Sequence, residues 1–254
     1  MFVIILIIPF IVSAEEVQEN EYVKVAEAVK YFKTTSVINN SGVMRDAGLA
    51  ETSSITVEVS EEEFNNAEGT TEPVAPINGS RAYAQTETTY KRLTTTIETD
   101  ATFYRYTTNL YWKNMPKVRS YDIIAIGHYN DVELWDPTVV GFMQNYCYSK
   151  NNCYVTSDTT EVQKEYGTAE VFHLPNESII SLEQTLTFTV KKAGNYVVDE
   201  QVAAGDYAHA TSNTFASIAA NNLRIGVGGL ILPDVIYDTY DTTPAAIATW
   251  SGTW

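Results

Sequence analysis

Cysteine and histidine are scarce in this chain: two and three among 254 residues. Cys147 and Cys153 are too few for a disulfide-dense scaffold. Five residues stand between them, and with only His128, His173 and His209 elsewhere they make no zinc-site spacing, so neither a metal nor another cofactor is expected. Long apolar runs are also missing. Beyond Val12 no stretch approaches the ~20 residues of a bilayer-spanning helix, so no stable transmembrane insertion is expected of the mature chain. Positive charge is short: 16 Lys and Arg face 32 Asp and Glu, for a net charge of −16. Such a chain repels phosphate backbones and anionic headgroups, which argues against nucleic acid as a partner. No internal repeat of fixed period is visible.

What is present begins with an apolar run, Met1 to Val12, ending in the small-residue sequence Val12-Ser13-Ala14. The run is too short to span a bilayer and fits a signal peptide over residues 1–14, with Glu15 as the mature start; the alternative is an N-terminal membrane anchor, since a basic leading region is missing. Secretion follows as the expectation, to the extracellular space or the cell wall. In that compartment Cys147 and Cys153 would form a disulfide closing a short loop whose turn is supplied by Ser149 to Asn152.

Charge divides the chain. Residues 15–80 carry 13 acidic and 4 basic side chains, net −9, whereas residues 81–254 carry 19 and 12, net −7. In the first part, Tyr22, Val25 or Ala26, Val29 and Phe32 recur every three or four residues, which predicts an amphipathic helix over Val17 to Lys33. Ile55, Val57 and Val59 alternate like a strand before Glu61-Glu62-Glu63. Asn65 to Ser80, with Gly69, Pro73, Pro76 and Gly79, reads as a linker.

From residue 81 on, short Thr- and Tyr-rich alternating segments separated by turn signals predict an all-β fold, an antiparallel β-sandwich over 81–254, preceded by the helix and acidic linker of 15–80. The strongest pattern is Phe103 to His128. Tyr104, Tyr106, Thr108, Leu110 and Trp112 share one face of a strand, and Met115-Pro116 forces a turn. Tyr121 to Ile126 is then a run suited to burial on both faces, so the whole reads as a hairpin. Ile180 to Lys191 and Tyr196 to Val202, joined by Ala193-Gly194-Asn195, read as a second hairpin. Ala208 to Asn222 is open between helix and strand.

Residues 81–254 resemble a group of small secreted proteins of Gram-positive bacteria without an assigned function. The resemblance rests on Tyr90-Lys91-Arg92-Leu93-Thr94-Thr95-Thr96, on the stretch Trp112 to Ile124 around Asn114-Met115-Pro116-Lys117-Val118-Arg119, and on Gly205-Asp206-Tyr207-Ala208-His209-Ala210-Thr211. It implies localisation and architecture, and no activity.

Three groups of residues invite a functional reading. Tyr146, Tyr148 and Tyr154 flank the cysteine loop, where exposed rings could stack on a sugar or a protein partner. His128, Asp131, Glu133 and Asp136 gather donors in nine residues, a possible cation or acid–base site, although no EF-hand-like spacing accompanies them. Asp206, His209 and Ser212 lie too close in sequence to assemble a triad, which draws its members from separate elements. Arg119 and Asp122 are expected to form an ion pair closing the Pro116 loop. With catalytic spacing weak and aromatic strands plentiful, the leading expectation is a secreted, non-enzymatic binding or surface-interaction protein whose partner is an extracellular protein or glycan. A hydrolase using carboxylates near 128–136, and a membrane-active β-rich toxin, are the alternatives.

Overall fold

The computed structural model describes residues 21–40, 49–73, 84–136, 138–176, 178–195, 197–212, 220, 222–232 and 240–252. The signal-peptide expectation for residues 1–14 lies outside these. The chain is all-β, and every strand pair is antiparallel.

The larger sheet runs in the order β2 (Leu49–Val59), β1 (Val23–Asn40), β4 (Ala84–Thr99), β5 (Tyr104–Trp112), β12 (Ser181–Lys192), β8 (Gly141–Ser149) and β9 (Asn152–Thr156). Two short strands join it at the side, β3 (Thr70–Pro73) on β4 and β7 (Val132–Leu134) on β12. The smaller sheet runs β10 (Thr160–Lys164), β11 (Gly167–His173), β6 (Tyr121–Gly127), β13 (Glu200–Ala210) and β16 (Tyr240–Thr242), with β17 (Ala246–Ser251) also on β13. A two-stranded ribbon, β14 (Arg224–Gly226) and β15 (Gly229–Ile231), packs beside it.

The main core lies between the sheets. Leu93, Tyr106, Leu110, Trp112, Leu186 and Phe188 enter it from the larger sheet, and Ile124, Ile126, Ala203 and Tyr207 from the smaller. Strand β5 shows the strict buried and half-buried alternation read from its sequence. Strand β6 is buried at six consecutive residues after Tyr121. A second cluster explains this: Ile123, Ala125, Val171 and Ala208 on the outer face of the smaller sheet pack against Leu223 and Ile225. Gly205 of β13 packs directly against Thr95 of β4 and Thr108 of β5. A Cβ there would lie 2.0 Å from Thr95 Oγ1 and 2.3 Å from Thr108 Oγ1, so no side chain fits.

Three expectations are corrected. The helix over Val17 to Lys33 is not formed in the described part: Val23 onward is strand β1, paired with β4 along nearly its whole length and with β2 from Tyr31. Its β-branched residues and the inward parity of Phe32, Thr34, Ser36 and Ile38 suit a strand, and pairing with β4 outweighs the three-residue spacing of its first half. Phe103 to His128 is not a hairpin. β5 pairs with β4 and β12, whereas β6 pairs with β11 and β13 in the other sheet, so the Pro116 segment crosses between sheets. The same holds for β12 and β13, which lie in different sheets. Within the expected linker, Thr70–Pro73 forms β3 on the side of β4, and the Glu61 run starts helix α1 (Glu61–Asn66), capped by Ser60 Oγ accepting from the Glu63 N–H at 3.1 Å.

Candidate functional site: an aromatic cleft at the disulfide hairpin

Strands β8 and β9 form a hairpin at one edge of the larger sheet. Cys147 and Cys153 are directly opposite each other and form a disulfide, with Cα atoms 4.0 Å apart. Side chains alternate along a strand, so the neighbours Tyr146 and Tyr148 point to the face opposite the disulfide. Tyr154, the cross-strand partner of Tyr146, joins them. The rings of Tyr146 and Tyr154 stack at 6.0 Å and 21°, and Tyr148 meets both edge-on at 5.7 and 5.5 Å. The three tyrosines are thus brought together as one cluster. Tyr154 is exposed, while Tyr146 and Tyr148 are half-buried against the core, less open than loop residues would be.

The inner face of this hairpin looks across at the end of β11. Between them opens a cleft of about 460 Å³, walled by Tyr146 on one side and by Tyr121 and His173 on the other, with Asp158, Thr160 and Asn176 at its rim. Tyr121 and His173 pack edge-to-face at 4.9 Å. The floor is fixed by two buried glutamines. Gln144 Nε2 donates to the His173 carbonyl at 3.1 Å, and Gln184 Nε2 donates to Gln144 Oε1 at 3.4 Å. Thr159, which also lines the cleft, donates to Glu170 Oε2 at 2.8 Å. Burial pushes the Glu170 carboxyl up to about 7, against that hydrogen bond, which lowers it. The cleft therefore offers aromatic faces, hydroxyls, an amide and one carboxylate at its rim, a set suited to a polar ligand with an apolar face. Sequence reasoning found Tyr146 but missed Gln144 on the same strand and Tyr121 and His173, which arrive from strands distant in the chain.

The second group is dispersed. His128 is buried, its Nδ1 2.7 Å from the Tyr129 carbonyl oxygen, and burial lowers its pKa. Glu133 is exposed and pairs with Lys191 at 3.2 Å. Asp136 accepts from the Thr138 N–H and hydroxyl at 2.9 and 2.7 Å, which lowers its pKa. A cleft of about 560 Å³ is lined by His128, Glu133 and Glu165, and Asp131 does not line it. Instead the Asp131 charge acts on the buried Tyr106 phenol, whose pKa is raised by burial first and by Asp131 second. Hence the Asp131 and Glu133 pair suggested by strand spacing does not share a cleft. Among the described residues no cluster of three or more His, Cys, Asp or Glu side chains could hold a metal ion.

Two further expectations resolve differently. Asp122 is fully buried, and its carboxylate accepts from the Tyr207 hydroxyl and the Ala210 N–H and lies 3.0 Å from His209 Nδ1. Arg119 donates to the Pro175 carbonyl at 3.4 Å rather than closing its loop on Asp122. The carboxylate beside His209 is thus Asp122; Asp206 instead accepts from the Tyr207 and Leu230 N–H groups, at 2.7 and 3.0 Å.

No helix among the described residues is long and apolar enough to cross a membrane. No family model and no curated protein matches the chain. A solved structure described as "pH-induced modulation of Streptococcus parasanguinis adhesion by Fap1 fimbriae" is similar at 15% identity, covering 75% of this chain and 92% of that one, with a TM-score of 0.28; at that level the likeness carries no argument about function.

Proposed function

We propose that this chain is a secreted, non-enzymatic binding module that takes a neutral glycan in the cleft between the disulfide hairpin and the end of β11. The observation that carries this reading is Tyr146 in the wall of a cleft also lined by Tyr121 and His173, its ring held by contacts with Tyr148 and Tyr154, which stand outside the lining. Tyrosine faces stack on the C–H face of a sugar ring, and the threonine, asparagine and aspartate groups at the rim can satisfy its hydroxyls. The ligand class is neutral because a net charge of −16 repels anionic polymers. Closure of the hairpin by the disulfide lowers the entropy lost when it orders against a ligand.

Glycan-array binding of the whole chain tests the ligand class. Replacing Tyr148 and Tyr154 together by Ala should weaken binding about tenfold, about 1.4 kcal/mol, with the disulfide and near-ultraviolet dichroism retained. Replacing Thr185 and Thr187 by Ala, on the outer face of β12, serves as the control. A folded tyrosine variant that binds as well as the parent would place recognition elsewhere.

A further inference from the structure

The three stretches singled out in the sequence meet at one place in the core. Lys91 from the first, Trp112 and Asp122 from the second, and Tyr207 and His209 from the third surround a buried ion pair. Lys91 has no exposed surface, and its Nζ lies 3.3 Å from Oδ2 of Asp241, which is itself 8% exposed. Lys91 enters from β4 on the same face as Leu93 and Ile97, between its cross-strand neighbours Phe32 and Trp112. Its Nζ is 5.0 Å from the Trp112 ring centre and 5.6 Å from that of Tyr207. Asp241 comes from β16 of the other sheet, opposite His209. Its Oδ2 accepts from Thr56 Oγ1 at 2.6 Å and from Thr34 Oγ1 at 3.4 Å.

We propose that Lys91 and Asp241 condense into an intramolecular isopeptide bond, Nζ to Cγ, which ties β4 of the larger sheet to β16 of the smaller. Desolvating each of two ions costs several kcal/mol, and mutual attraction repays this only in part. Condensation removes both charges. In water an amide is opposed by the ionisation of the free amine and acid, and a site walled by aromatic rings weakens that opposition. The reactants are also held in contact, which replaces a bimolecular encounter by an intramolecular step. The balance closes without any other reagent: the ammonium and the carboxylate give one amide and one water. Nζ first passes one proton to the carboxylate, which frees its lone pair to bond to Cγ; it then gives up a second proton, the Cγ–O bond breaks, and the departing oxygen leaves with both protons as water. Thr56, donating to Oδ2, polarises the carboxyl under attack. Burial raises the Asp241 pKa, and the Lys91 charge and the Thr56 hydroxyl outweigh burial and leave it lowered. The bond would join residues 150 apart in sequence and lock the two sheets together.

Mass spectrometry of the intact, disulfide-reduced protein decides the matter. The folded chain should weigh about 18 Da less than its residues, one water lost, and a proteolytic digest should contain a branched peptide joining the segments around Lys91 and Asp241. The Lys91→Met and Asp241→Ala variants should each show full residue mass and lose the branched peptide. The parent reading stands without them, so a variant that fails to fold leaves the test intact. Full residue mass in the folded parent after prolonged incubation at neutral pH, with Lys91 and Asp241 recovered on separate peptides, would overturn the proposal and leave an ion pair only.

Discussion

The two sheets bury their residues by different rules. In the larger sheet one face meets the core and the other meets solvent, so β5 alternates along its length. In the smaller sheet the outer face is covered by the β14–β15 ribbon and its neighbours, so β6 and β13 are buried almost throughout. The first arrangement tolerates polar residues at every second position. The second forces even carboxylates inside: Asp122, Glu170 and Asp206 all belong to the smaller sheet and are all buried. Buried charge is not confined to that sheet, since Glu87 and Lys91 of β4 are buried as well, and each such group needs a partner.

The most direct way to break the comparison is by parity. Ile123→Ala and Ile124→Ala, adjacent residues on opposite faces of β6 and both without exposed surface, should each destabilise the chain by about 2–5 kcal/mol in urea unfolding. In the larger sheet the same test should split. Leu93→Ala should cost as much, whereas its neighbour Thr94→Ala should cost about 1 kcal/mol or less, because Thr94 is on the outer face. Equal costs for Ile123 and Ile124 with unequal costs for Leu93 and Thr94 would confirm the difference; a cheap Ile123→Ala would mean that the outer face of β6 is not covered.

Titration sharpens the contrast. Burial pushes the carboxyls of Asp206 and Glu170 up to about 7, from ordinary values of 3.8 and 4.5. Between pH 4 and 7 the folded chain thus holds protons that the unfolded chain has released. Their stabilising contribution is complete below the unfolded values and is lost as pH rises to about 7, on the order of 4 kcal/mol for Asp206. A lowered group acts in the opposite sense: His128, whose pKa burial lowers, loses stability as pH falls below 6.5. For this reason the measurement is a difference. The stability of Asp206→Asn should decline less between pH 4 and 7 than the parent's, the share of Glu170 remaining, and parallel curves would remove Asp206 as a source.

The smallest effect belongs to the edge of the larger sheet. The Cys147–Cys153 disulfide closes a loop of only six residues' separation, so replacing both by Ser should lower stability by about 2 kcal/mol or less and leave both sheets intact. Glycan binding in the same variant should fall, because the hairpin that carries Tyr146 and Tyr154 would lose its closure.

Periodicity determined much of this molecule before any tertiary contact. The inward faces of β5 and β12, the two-sided burial of β6 and the cysteine loop were legible because a period of two, a continuous apolar run and a close cysteine pair are local signals. Tertiary structure alone decided which strands pair. Neighbouring strands β5 and β6, and likewise β12 and β13, look like hairpins in sequence but cross between sheets, since hydrogen-bond partners are chosen by which face must be covered and not by adjacency. The same choice turned Val23 to Lys33 from an apparent helix into a strand, paired with β4 and from Tyr31 also with β2. It also assembled both sites, bringing Tyr121 and His173 to Tyr146, and Asp241 to Lys91, because no local pattern records what lies across a sandwich.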